Sequence, residues 1–121
     1  MILSIETSTK ICSVALHNKE VLLAETTLHV DKSHSEKLAI LIKDLLSYAD
    51  ISSKELIAVA VAAGPGSYTG LRIGVSSAKG LCYALGIPLI AVNTLEAMAS
   101  GIRKTISEDV FLCPMLDARR M

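Results

Sequence analysis

Hydrophobic and polar positions alternate along the first thirty residues. Residues 2–6, ILSIE, predict a strand, TSTK a turn, and Ile11 to Leu16, ICSVAL, a second strand. His17-Asn18-Lys19-Glu20 predicts a tight turn, because asparagine tolerates the left-handed backbone that short hairpins use. Val21 to Val30 is then a third strand, and three strands with short links imply an antiparallel meander.

The apolar period then lengthens. Ser33-His34-Ser35-Glu36 spells a capping box, in which the Ser33 hydroxyl takes a free helix N–H and Glu36 reaches back. The helix that follows places Leu38, Leu41, Ile42, Leu45, Leu46 and Ala49 on one face. Ser52 and Ser53 start a short turn, and Ile57 to Ala63 is apolar throughout, as a strand buried on both faces should be. After the loop AGPGSYTGLRIG, a helix is expected from about Gly70 to Leu85, with Gly86 as its stop. Pro88 to Val92 reads as another buried strand, Thr94 as the cap of a helix reaching about Thr105, and Val110 to Leu116 as one further strand. The order β-β-β-α-β-α-β-α predicts an α/β fold with a mixed sheet, antiparallel first and parallel later, covered by helices. It resembles one half of the actin, sugar-kinase and Hsp70-like fold, in the ribonuclease H-like class. Residues 1–108 would form this domain, and residues 109–121 would open a second similar one that is cut short.

Charge narrows the partners. Twelve basic residues balance twelve acidic ones, which gives no electrostatic grip on nucleic acid. The Arg119-Arg120 pair is too small to alter that. Hydrophobic residues make up 51% against 20% charged, and the mean hydropathy is +0.50. A small domain so apolar must bury its surplus somewhere, and a partner surface is one candidate. The longest uninterrupted apolar run, Leu56 to Ala63, is far short of the roughly 20 residues a membrane helix needs. Glu6 stands where a signal peptide would be apolar. Cys12, Cys82 and Cys113 are odd in number, widely spaced and in apolar surroundings, so they read as buried reduced thiols of a cytosolic protein.

The glycine loop invites comparison with phosphate-binding loops. A Walker loop carries lysine after its last glycine, but Gly70 is followed by Leu71 and Arg72. Gly64, Gly66 and Gly70 are one residue too widely spaced for a dinucleotide loop. Free N–H groups at the helix start can still attract an anion. The plainer account is a turn from strand to helix, the usual conformational role of glycine. Thr7, Ser8, Gly64 and Gly66 are thus the weak cofactor-binding candidates. The helix itself carries a non-polar arc of about 220°, against roughly 100° for one sheet contact. Gly70, Ile73, Gly74, Ser77 and Leu81 lie on it, and the Gly70-x-x-x-Gly74 ridge admits a close neighbour. The preceding helix leaves Ile40 stranded among polar residues. Two accounts stay open from this pattern: the helices pack on each other and the sheet, or they face a partner helix. His17, His29 and His34 lack metal-ligand spacing, and no catalytic set can be assembled. In Glu6-Thr7-Ser8-Thr9, hydroxyls can meet a phosphate, although bonding within the turn is simpler.

SIETSTKICSVAL, SHSEKL and AGPGSYTGLRIG together resemble the TsaB/YeaZ family, over the whole chain and in order. Members are needed to make threonylcarbamoyladenosine in certain tRNAs and are about twice this length; PMLDARRM resembles the start of their second half. The resemblance implies a relative of the catalytic subunit TsaD, which holds a metal through an H-x-x-x-H pair. Thr94 and Met98 stand at the matching positions and are poor ligands for such a metal. It therefore implies a non-catalytic cytoplasmic protein with no cofactor or metal of its own, ATP entering at the level of the complex. The implied partners are TsaD and the ATPase subunit TsaE, with a homodimer when alone, no membrane, and tRNA met only through the complex. The implied contact surface is the first two helices, including Ile40, Gly70, Ile73, Gly74, Ser77 and Leu81. The alternative is an ATP-binding phosphotransferase or a peptidase of the same fold. A domain whose own dimer is its whole function is a third reading.

Overall fold

The computed structural model describes residues 1–29, 34–107 and 109–117. Ser33 of the expected capping box and the Arg119-Arg120 pair lie outside the described residues. The strands are β1 (Ile2–Glu6), β2 (Cys12–Asn18), β3 (Val21–Leu28), β4 (Ala58–Ala62) and β5 (Leu89–Val92). The helices are α1 (His34–Tyr48), α2 (Tyr68–Leu85) and α3 (Thr94–Arg103), with a 3-10 turn over Ser53–Glu55. The sheet runs β3-β2-β1-β4-β5. β1 is antiparallel to β2 and parallel to β4, and β4 is parallel to β5.

Register builds the core. Leu3 sits between Leu16 and Val59, and Ile5 between Val14 and Val61, all on one face and all nearly fully buried. A one-residue slip in any strand would turn these rows to the opposite face. Each such side chain contributes about 1.5–3 kcal/mol by leaving water. Leu38, Leu41, Ile42 and Leu45 of α1 cover the rows, together with Ala78 and Cys82 of α2.

Several expectations are corrected. β2 runs on through Asn18, which pairs with Val21, so the tip is Lys19-Glu20 and Lys19 takes the positive φ of 54°. The ladder holds Asn18 extended, and the turn residue is chosen by register. β5 is half exposed, because it is the last strand of the sheet and Ile90 and Ala91 lie open. Val110 to Leu116 form no strand: an apolar extended run becomes one only beside a ladder partner, and the described sheet ladder does not reach them. Asn93 caps α3 in place of Thr94, its side chain accepting from the N–H groups of Leu95 and Glu96. Cys12 and Cys82 are buried, but Cys113 is exposed, a correction to the expected burial of all three thiols.

Candidate functional site

The parallel strands β1, β4 and β5 end at one edge of the sheet, the edge where open α/β sheets bind ligands. Three loops meet there: the turn after β1, the glycine loop after β4 and Asn93-Thr94 after β5. Backbone bonds stitch them together. The Ser67 N–H donates to the Ser8 carbonyl at 2.6 Å, and the Thr94 N–H to the Gly64 carbonyl at 2.9 Å. Gly64 takes a φ of +108°, open to glycine and strained for other residues, and a cis bond to Pro65 follows. Ser67 caps α2, its hydroxyl accepting from the Gly70 N–H.

The glycines answer to the β1–β2 turn. A Cβ on Gly66 would stand 2.6 Å from the Cβ of Ser8. A Cβ on Gly70 would strike the Thr7 carbonyl, and one on Gly74 the Thr7 hydroxyl. Thr7 is 0% exposed and donates its hydroxyl to the Gly70 carbonyl at 2.7 Å. Gly70 and Gly74 are therefore buried inside the chain and corrected as partner-contact residues: their ridge admits Thr7, not another molecule. Ala78 and Cys82 continue the same ridge, one turn apart each, against the sheet.

The wide apolar arc of α2 is corrected with them. Ile73, Val75, Leu81 and Leu85 are half-buried against the core, and Ser77 is half-buried beside Ile73. What α2 leaves open is Tyr68, Thr69, Arg72, Ser76, Lys79, Gly80, Tyr83 and Ala84, small or polar apart from the two tyrosines. Ile40 on α1 remains 57% exposed. Ser35, Thr69, Arg72, Ile73, Ser76 and Ser77 line a shallow groove of about 380 Å³ between the two helices.

The four cofactor candidates, Thr7, Ser8, Gly64 and Gly66, are thus brought together at one edge, but against one another. The Thr7 hydroxyl is bound to Gly70, and Gly66 is packed on Ser8. Two hydroxyls are left over: Ser8 Oγ and Thr94 Oγ1 have no partner, in residues each 2% exposed. The contacts among these residues do not by themselves form a nucleotide site. Nor do the residues suit the metal of the transferases. The Thr94 hydroxyl is buried, Met98 offers only a thioether, and among the described residues no three His, Cys, Asp or Glu side chains come together. The Cys12 thiol is pushed above its ordinary 9.0 by burial and, secondarily, by the Glu6 carboxylate. Sequence reasoning missed Ser67, Asn93 and the packing role of Thr7. A serine or asparagine just ahead of an apolar helical repeat was the available signal for the two caps; nothing local marked Thr7.

This arrangement defines one half of an actin, sugar-kinase and Hsp70-like fold. Residues 22–121 match the family model described as "TsaD: tRNA N6-adenosine threonylcarbamoyltransferase". The tRNA threonylcarbamoyladenosine biosynthesis protein TsaB of Bacillus subtilis is 40% identical over 119 residues, 98% of this chain and 51% of that protein. The Escherichia coli protein of the same description is 39% identical over 100 residues, covering 83% and 43%. A tRNA N6-adenosine threonylcarbamoyltransferase of Ruegeria pomeroyi is 46% identical over 74 residues, covering 61% and 20%. Among solved structures, YeaZ from Pseudomonas aeruginosa superposes with a TM-score of 0.81 at 32% identity, covering 86% of this chain and 48% of that one. The chain belongs to the threonylcarbamoyltransferase family, in its TsaB/YeaZ branch. It spans about half the length of the curated relatives it matches.

Proposed function

We propose that this chain is a non-catalytic partner of the threonylcarbamoyltransferase subunit TsaD in the modification of tRNA to threonylcarbamoyladenosine. The observation that carries this reading is the closed strand edge. Where the fold does its chemistry, the Thr7 hydroxyl and the glycine loop are bound to each other, and the metal-ligand positions hold Thr94 and Met98. The chain acts instead through the outer side of α1 and α2, where Ile40 stands exposed, Ile73 and Ser77 line the groove, and Leu81 is half-buried further along α2. Without TsaD, two copies pair through this side. TsaE and its ATP join at the level of the complex, which meets the tRNA in the cytoplasm. Residues 109–121 open a second domain of the same kind, a reading supported by the exposed Phe111 and Met115 and by relatives of about twice the length.

The test is co-purification of the full chain with TsaD. A one-to-one complex is expected, lost on Ile40→Asp, with the variant's melting temperature unchanged. Absence of any complex would sink the reading. The alternative of an ATP-binding phosphotransferase or a peptidase rests on the two unpartnered hydroxyls, Ser8 and Thr94. Calorimetric titration with Mg-ATP decides it: micromolar binding with turnover would favour the enzyme.

A further inference from the structure

We draw no further inference here: the strongest candidate, the buried hydroxyls of Ser8 and Thr94 left without a partner at the strand edge, belongs to the site already described.

Discussion

Gly74→Ala should destabilise this protein, and Gly80→Ala, six residues along the same helix, should stabilise it. Alanine is a better helix former than glycine by about 0.8–1 kcal/mol, and at either position that gain is available. At Gly80 nothing opposes it, since a Cβ there meets no atom within 4 Å. At Gly74 the added methyl strikes the hydroxyl of Thr7, which is fully buried and bound to the Gly70 carbonyl. Overpacking of this kind costs about 1–3 kcal/mol, and leaving the buried Thr7 hydroxyl unpaired adds about 1–3 kcal/mol. Less the helix gain, the net loss is about 1–5 kcal/mol. Urea unfolding of the two variants beside wild type reads the difference as a shift in midpoint at constant slope. If Gly74→Ala proves as stabilising as Gly80→Ala, α2 does not lie on the β1–β2 turn as described here, and the account of the closed strand edge falls with it.

Four further outcomes are expected. Thr7→Ala should recover much of the loss in Gly74→Ala, because it removes the group struck; a double-mutant cycle with no coupling would refute the contact. Asn93→Ala removes the acceptor for two N–H groups of α3 and should cost about 1 kcal/mol, read as faster hydrogen exchange at Leu95 and Glu96 with α2 unchanged. Cys113 should react with a thiol reagent at once, and Cys12 and Cys82 only on unfolding. The Cys12 thiol sits above its ordinary 9.0 when folded, so the unfolded chain loses that proton first. Stability should therefore fall as pH rises from about 9, and less so in Cys12→Ala; an unchanged alkaline limb in that variant would refute the burial argument.

Much of the element pattern was legible because short-range chemistry decides it. The alternation over Ile2–Glu6 and the apolar repeat of α1 appear in the structure as a strand and a helix. Gly86 ends α2 in the left-handed conformation, with φ of 66°, as a C-terminal glycine does. Errors fell where neighbours decide. Val110 to Leu116 has a strand's composition but is not reached by the described sheet ladder, and Pro88 to Val92 has a buried strand's composition at a position that proves to be the sheet's edge. Thr7, Ser8, Gly64 and Gly66 were read as weak cofactor-binding candidates, and that they pack and bond with one another and with Gly70 at the strand edge was not legible.

The sequence by itself determined the order of elements, the one-sided strand rows and the family, since each depends on residues read in series. Which side of α2 meets the sheet was decided only by tertiary structure. Helical periodicity says which residues share a side, not what that side will touch. Gly70 and Gly74 are closed because the buried Thr7 needs their missing side chains, while Gly80 stays open because no other element reaches it. A glycine looks the same in the chain whether it admits a neighbour from within or from without.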